Sequence, residues 1–106
     1  MSHDPQQAQR EIIEEFEFFD DWMDRYQHLI DLGKQLPSFP DNEKIDQNLL
    51  AGCQSNVWLI SKGDSSCLNF QACSDAAIVS GLIALVLKIY SGASAEQILS
   101  TPPTFI

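Results

Sequence analysis

Three cysteines are the side chains of this 106-residue sequence with the greatest capacity for chemistry. Cys53, Cys67 and Cys73 form an odd set with no Cys-x-x-Cys pair, so neither a disulfide framework nor a zinc finger is indicated. The two histidines, His3 and His28, lie far from the cysteines along the chain and give no support for a Cys-His nucleophile pair. We therefore expect at least one free thiol.

Cys53 has the most favourable local sequence of the three. It directly follows Gly52, which permits backbone conformations closed to other residues, and it precedes a predicted strand, so that a loop tip can present the thiol. Gln54, Ser55 and nearby backbone N–H groups can donate hydrogen bonds to an anionic sulfur, which lowers the pKa of a thiol. The residues alone leave a second interpretation open, because a lone cysteine is also a common small core residue.

Cys73 is the rival site. It lies just before Ser74, the predicted cap of a helix, and a helix N-terminus lowers the pKa of a nearby thiol. The other interpretation, a buried residue at a strand-to-helix corner, is favoured. Cys67, on a predicted strand, is interpreted as a core or sheet-surface residue.

Two amphipathic helices are the first elements that must position these thiols. Asp4 before Pro5 predicts the start of the first helix, with a capping box formed by the glutamine three residues after Asp4. The acidic side chains of this helix predict a solvated face or, alternatively, a docking surface for a basic partner. Asp20 and Asp21 can cap the second helix, which is predicted to end at a left-handed Gly33. Apolar residues at helical spacing predict the buried stripes: Ile12, Ile13, Phe16 and Phe19, then Trp22, Tyr26, Leu29 and Ile30.

A hairpin of two strands is predicted in the middle of the chain. A loop over residues 36–48, rich in Pro, Ser, Asp and Asn, leads towards it. The antiparallel strands are expected over residues 54–60 and 67–72, with the turn at 62–65. The elements together predict one α+β domain over residues 1–106, a small antiparallel sheet with helices packed against it.

Two further helices are predicted after the hairpin. Ser74 is expected to cap the third, with Asp75 adding negative charge to its first turn. Ser94 and Gln97 predict a capping box for a short fourth helix that ends at Leu99. The third helix is expected at the centre of the fold, and its predicted buried stripe consists of Ile78, Leu82, Leu85, Val86 and Ile89.

Composition and charge exclude several classes of function. The chain has 15 acidic and 6 basic residues and a formal net charge of −9, which opposes binding to nucleic acid phosphates. The longest apolar run, residues 76–87, is interrupted by Ser80 and Gly81 and is too short to cross a bilayer of about 30 Å. The N-terminus has neither a signal nor a transit pattern. We therefore expect a cytoplasmic protein that binds neither nucleic acid nor membrane.

Two blocks of the sequence resemble the SufE family of cysteine desulfuration proteins. The first is Gly52-Cys53-Gln54-Ser55-Asn56-Val57-Trp58-Leu59, preceded by Leu36-Pro37, and the second is the run SDAAIVSGLIAL from Ser74 to Leu85. They occur in order at a family-like separation, and the resemblance covers the chain from about the first helix to its end. It implies an α+β fold with a small antiparallel sheet. Family members usually continue into further helices after the proline-rich segment, so we expect residues 1–106 to be a shortened SufE-like domain that lacks the C-terminal helices.

The resemblance also implies a function. Cys53 matches the family's acceptor cysteine, whose thiolate takes sulfur from the persulfide of a SufS-type cysteine desulfurase and passes it to the iron–sulfur cluster assembly machinery. Gly52, Gln54 and Ser55 would support the cysteine loop, and Asp75 resembles a residue that the family uses to control it; a plain helix N-terminal charge is the alternative role of Asp75. Pyridoxal phosphate belongs to the desulfurase, so no cofactor and no metal are expected in this chain. The protein is interpreted as a partner and activator of that enzyme rather than a stand-alone catalyst.

Two alternatives from other classes remain open. One is an iron–sulfur cluster scaffold that uses Cys53, Cys67 and Cys73, motivated by the three thiols and by the related architecture of scaffold proteins. The other is a non-catalytic interaction module, whose acidic first helix binds a basic partner while Cys53 is incidental. The oligomeric state is also open, with a homodimer formed through exposed apolar surface as one outcome.

Overall fold

The computed structural model describes residues 3–50 and 55–104 of the chain. These residues form four α-helices and one two-stranded antiparallel sheet, which confirms the predicted α+β class. Within the same ranges, no helix combines the length and the apolar character needed to cross a membrane. The helices are α1 (Pro5–Glu17), α2 (Trp22–Lys34), α3 (Ala77–Tyr90) and α4 (Ala95–Leu99); the strands are β1 (Val57–Asp64) and β2 (Cys67–Ser74); two 3-10 turns, Asp41–Glu43 and Asp46–Asn48, precede β1.

Helix α1 begins where the sequence predicts. One carboxylate oxygen of Asp4 accepts hydrogen bonds from the backbone N–H groups of Gln6 and Gln7, at 3.0 and 3.4 Å. Pro5 follows at the first helical position, where a missing N–H costs nothing. The side chain of Gln7 does not return to the cap but donates to Glu11 at 3.2 Å. The predicted cap is therefore confirmed, whereas the predicted capping box is wrong.

Helices α2 and α3 approach each other closely over two glycines. A Cβ added at Gly81 would overlap the carbonyl oxygen of Leu29, and one added at Gly33 would lie 2.7 Å from the backbone nitrogen of Gly81. Helix α2 continues past Gly33 to Lys34, so the left-handed cap predicted at this glycine is wrong. The glycine is needed at this position because no side chain fits between the two helices.

The hydrophobic core lies between α1, α2 and α3. Its buried members are Ala8, Ile12, Leu29, Leu85 and Ile89, and Phe16, Leu32, Ile78 and Tyr90 pack against them. Four side chains predicted in the buried stripes are instead exposed: Trp22 by 69%, Tyr26 by 54%, Leu82 by 45% and Val86 by 41%. The prediction of burial is wrong for these four because the apolar stripe of each helix is wider than the face its neighbours cover.

Strands β1 and β2 pair in one continuous antiparallel ladder, with Asp64 opposite Cys67 at the closed end. Only Ser65 and Ser66 connect them, so the turn predicted at 62–65 is wrong, and β1 ends four residues later than predicted. The hydroxyl and backbone N–H of Ser66 donate to the Asp64 carboxylate. These hydrogen bonds hold the pKa of Asp64 below its ordinary value.

The segment after α3 pairs with the outer edge of β2. Leu68 donates its N–H to the carbonyl of Ala93 at 2.8 Å and accepts from the N–H of Gly92 at 2.6 Å. Gly92 makes this turn with a φ of +90°, which side chains rarely adopt. The predicted capping box between Ser94 and Gln97 is present and begins α4. The segment that follows α3 is thus joined to the start of β2.

Candidate functional site

The predicted functional residues fall on both sides of the boundary of the described chain. Gly52, Cys53 and Gln54 lie outside the described residues, whereas Ser55 and Asp75 lie within them. Ser55 is half-buried and stands just before β1. The described part of the site consists of the residues that flank the cysteine segment and of those that contact them.

Asp75 binds the residue that follows Ser55. Its Oδ1 accepts the backbone N–H of Asn56 at 3.2 Å, and its Oδ2 accepts the Asn56 side-chain amide at 3.1 Å. In the other direction, the N–H of Asp75 donates to the carbonyl of Asn56 at 3.4 Å. These three contacts fix the entry to β1 against the chain that leads into α3. The residue predicted to support the cysteine loop thus contacts the third residue after Cys53.

Helix α3 begins later than predicted, which changes the surroundings of Asp75. The N-cap is Ala76, which has no side-chain hydrogen bond, and the first helical residue is Ala77. Ser74 ends β2, and its hydroxyl accepts the N–H of Ala76 at 3.2 Å. The prediction that Ser74 caps α3, with Asp75 in its first turn, is wrong because Ser74 belongs to β2 and Asp75 lies between the strand and the helix, before the N-cap. The carboxylate of Asp75 is committed to Asn56 instead.

The chain that precedes Cys53 is tied to the same end of the sheet. Leu50 donates its N–H to the carbonyl of Val57 at 2.9 Å, and Leu49 forms an isolated antiparallel bridge with Trp58. Val57 directly follows Asn56, so the residues before and after the cysteine segment are bound at the same place, the start of β1. Both flanks of the cysteine segment are therefore anchored to the sheet.

Cys73 lies at this end of the sheet too. It is half-buried and stands opposite Trp58 in the ladder. Burial raises the pKa of the Cys73 thiol, and the positive charge of Lys44 opposes that rise. The Lys44 ammonium also lies 5.9 Å from the centre of the Trp58 ring. The favoured interpretation was a buried residue at a strand-to-helix corner; Cys73 lies near that corner but is half-buried. The lowered pKa expected from a helix N-terminus is wrong, because burial raises it.

Cys67 occupies the opposite end of β2. It is exposed, and its Sγ lies 3.6 Å from the carbonyl oxygen of Gly92. Cys73 lies six positions further along the strand, which corresponds to about 20 Å at ~3.3 Å per residue. Thiolates that far apart cannot bind one cluster, which argues against a scaffold that uses all three cysteines. In the ranges that the structure covers, no group of three or more His, Cys, Asp or Glu side chains is arranged to hold a metal ion.

The sequence did not single out Asn56 as a site residue. The signal that identifies it is the register of the hairpin: Val57 pairs with Ser74, and extending that register by one residue places Asn56 opposite Asp75. The register follows from the two-residue turn, and a turn at 62–65 gives a different one. No sequence signal predicted that Lys44 would lie near Cys73 and Trp58, because its position depends on the path of the loop before β1.

Comparison with known proteins decides the family. Residues 10–106 match the SufE family model, whose description is Fe-S metabolism associated domain. The chain belongs to the SufE family. Over 92 residues it is 46% identical to an uncharacterised SufE-like protein of Rhizobium meliloti (strain 1021), and 45% identical to another from Rhizobium etli, with 83% of this chain covered in each case. The matches cover 66% and 62% of those relatives, so the chain spans just under two thirds of their length.

A solved structure supports the fold independently of sequence. The solution structure of a hypothetical protein from Thermus thermophilus superposes with a TM-score of 0.70 at 19% identity, covering 92% of this chain and 71% of that one. At that identity the likeness speaks for the fold alone. The two sequence blocks therefore predicted the family and the fold class correctly, and the family model associates the domain with iron–sulfur metabolism.

Proposed function

We propose that Cys53 of this SufE-family chain accepts sulfur from the persulfide of a cysteine desulfurase and passes it on to iron–sulfur cluster assembly. The observation that carries the proposal is the pairing of Asp75 with Asn56, which anchors the residue next to the Gly52-Cys53-Gln54-Ser55 run. A loop next to an anchored strand end can hold a reactive side chain in a defined position for contact with a partner protein. Membership of a family associated with iron–sulfur metabolism supports the same assignment.

The proposed step is a thiol–persulfide exchange. The Cys53 thiolate attacks the outer sulfur of the partner's persulfide, a new S–S bond forms at Cys53, and the partner's S–S bond breaks so that its cysteine leaves as a thiolate. One sulfane sulfur moves and no net oxidation occurs, so no external oxidant or reductant is required. A downstream acceptor thiol removes the sulfur by repeating the exchange. The proposed step assigns to Gly52 the backbone freedom beside the thiol, and to Gln54 and Ser55 the role of hydrogen-bond donors to the anionic sulfur.

The partners follow from the same proposal. The donor is a SufS-type cysteine desulfurase, the recipient is an iron–sulfur assembly scaffold, and the compartment is the cytoplasm. Pyridoxal phosphate resides in the desulfurase, so this chain brings a thiol and a binding surface but no cofactor of its own. Its effect is to stimulate the desulfurase by removing the sulfur that would otherwise block the next turnover.

Desulfurase turnover tests the proposal. Alanine formation is measured for a SufS-type desulfurase with the native chain and with the single variants Cys53→Ser, Cys67→Ser and Cys73→Ser. We expect stimulation by the native chain and by the Cys67 and Cys73 variants, and its loss with Cys53→Ser. Cys67→Ser is the matched control, because it removes an exposed thiol from the other end of the sheet. Equal stimulation by all four proteins would contradict the role of Cys53.

A further inference from the structure

We propose that Lys44 is a positioning residue for sulfur acceptance, whose positive charge at the start of β1 favours the thiolate form of Cys53. This role rests on the proposed function, because the thiolate of Cys53 is the group that attacks the persulfide. Lys44 keeps its own proton throughout. Its charge favours the release of the Cys53 proton to water, and the exchange then follows as written above.

The Lys44 ammonium lies in a small cluster of side chains at the start of β1. It is 5.9 Å from the centre of the Trp58 ring. Trp58 stands directly opposite Cys73 in the ladder, and directly opposed residues project from the same face of a sheet. The charge of Lys44 lowers the pKa of the Cys73 thiol, although burial outweighs that effect. The field of this ammonium therefore already reaches one sulfur at this end of the sheet.

The loop that carries Lys44 is held on both sides of it. The backbone N–H of Lys44 donates to the carbonyl of Asp41 at 3.2 Å. The side-chain amide of Asn48 donates to the carbonyl of Glu43 at 2.8 Å and to its carboxylate at 3.1 Å. These hydrogen bonds fix the path of the loop before β1, so the backbone of Lys44 has a defined place beside Trp58.

The covalent chain limits the distance between this cluster and Cys53, which lies outside the described residues. Cys53 is three residues from Leu50 and three from Asn56, so its Cα lies within about 11 Å of both Cα atoms at ~3.6 Å per residue. Leu50 and Asn56 are both bound at the start of β1. Exposed charges interact over roughly a Debye length, about 8–10 Å in ~0.1–0.15 M salt. Lys44 thus lies in the neighbourhood from which a charge acts on Cys53, most strongly at low salt.

The charge balance at this end of the sheet gives a cation a specific purpose. Lys44 is the single Lys or Arg among residues 35–61, in a chain whose formal net charge is −9. Negative charge opposes both the ionisation of a thiol and the approach of an anionic persulfide, and a nearby cation offsets it. Cys73 is the other titratable thiol described at this end, and the carboxylates of the loop and of the strand-to-helix junction are those of Asp41, Glu43, Asp46 and Asp75.

The pH dependence of Cys53 alkylation tests this role without a desulfurase. Iodoacetamide labelling and peptide mass mapping give the midpoint, the pH at which the Cys53 rate reaches half of its maximum. We expect Lys44→Gln to raise the midpoint by about 0.5 pH unit, less than for charges in contact. Lys44→Arg is expected to restore the native midpoint, because guanidinium keeps the charge and also binds an aromatic face. A loss of structure alone would not be rescued by charge.

Lys62→Gln is the matched control for the loss of one positive charge. Lys62 is exposed and lies four positions beyond Trp58 in β1, about 13 Å along the strand at ~3.3 Å per residue. Its replacement is expected to leave the Cys53 midpoint unchanged. The difference between the native chain and Lys44→Gln is also expected to shrink as salt is raised from about 0.01 M to about 1 M, where the Debye length falls to ~3 Å.

Asp41→Asn provides a second variant with the opposite sign. One carboxylate oxygen of Asp41 lies 3.7 Å from the Lys44 ammonium, so its removal leaves the positive charge less compensated. We expect the Cys53 midpoint to fall in this variant. Circular dichroism establishes that the variants fold, and Asp41→Asn carries the test if Lys44→Gln does not fold.

Three results would overturn the role of Lys44. They are an unchanged midpoint in Lys44→Gln, an equal rise in Lys62→Gln, and a rise that Lys44→Arg does not reverse. Sulfur uptake from a desulfurase near neutral pH is expected to be about threefold slower in Lys44→Gln, in step with its smaller thiolate fraction. Native uptake with an unchanged midpoint contradicts the role of Lys44 alone, whereas no uptake by the native chain contradicts the proposed function.

Discussion

Cys67 and Cys73 occupy opposite ends of β2, and their surroundings predict different reactivity. Cys67 is exposed, whereas Cys73 is half-buried and its thiol pKa is raised by burial. Alkylation requires both access and the thiolate, so iodoacetamide is expected to modify Cys67 several-fold faster than Cys73 near neutral pH. Peptide mass mapping over time in a Cys53→Ser background measures the two rates. Equal alkylation rates of Cys67 and Cys73 would contradict the partial burial of the Cys73 thiol.

The raised pKa of Cys73 also predicts a pH dependence. More than half of the Cys73 thiol remains protonated at pH 9.0, so its alkylation rate is expected to reach half of its maximum only above pH 9.0. The folded state holds this proton more tightly than the unfolded chain, so its contribution to stability is complete below the ordinary pKa and is lost as the pH rises through the raised value. A Cys73 alkylation rate that reaches half of its maximum at or below pH 9.0 would be incompatible with this environment.

Asp75 is the described residue whose removal most directly tests the anchoring of the site. Asp75→Ala removes both side-chain acceptors of Asn56. We expect a decrease of about 1 kcal/mol in the free energy of unfolding and a slower uptake of sulfur at Cys53. Asp64→Ala is the matched control, because it removes a comparable exposed carboxylate, bonded to Ser66, at the far end of the hairpin. If both variants take up sulfur at the native rate, Asp75 does not support the site.

At the scale of elements, the crossing of α2 and α3 depends on Gly81. Alanine favours a helix over glycine by about 1 kcal/mol, yet we expect Gly81→Ala to lower the free energy of unfolding by about 1–3 kcal/mol. The new Cβ would overlap the carbonyl oxygen of Leu29, so the helices must separate. Urea unfolding measures the change, and Leu82→Ala at the next, exposed position is expected to change it less. Increased stability in Gly81→Ala would rule out the close crossing.

Local interactions are the part of each element that the sequence predicted best. Asp4, Asp21 and Ser94 all accept backbone N–H groups two or three residues ahead, as predicted, because a cap and its donors lie within one turn of chain. Gly33 and Ser74 were assigned wrongly because contacts with distant segments decide their roles, α3 for Gly33 and the β2 ladder for Ser74. The order and type of the elements were nevertheless predicted correctly.

The candidate site was predictable to a similar extent. The sequence identified Asp75, but the partner of Asp75 follows only from the exact hairpin register, which local patterns such as turn propensity do not determine. Cys53, Gly52 and Gln54 lie outside the described residues, so their roles stay predictions. What the structure adds is the anchoring of both flanks of this segment at the start of β1.

At the scale of the whole molecule, periodicity predicted which helical faces are apolar but not which of them are covered. Trp22, Tyr26, Leu82 and Val86 belong to the predicted stripes and are exposed, because coverage depends on how many elements surround each helix. The formal net charge of −9 makes the domain acidic overall. The exposure of these apolar side chains thus follows from the packing of the helices, which periodicity alone does not predict.

The central claim, that Cys53 is a sulfur acceptor, is tested most directly by intact-protein mass spectrometry without reductant. The chain is incubated with a cysteine desulfurase and free cysteine, alongside its Cys53→Ser variant. We predict the addition of sulfur that maps to Cys53 and is absent from the variant. An unmodified native chain beside a persulfidated desulfurase, or equal sulfur addition to the variant, would contradict the account.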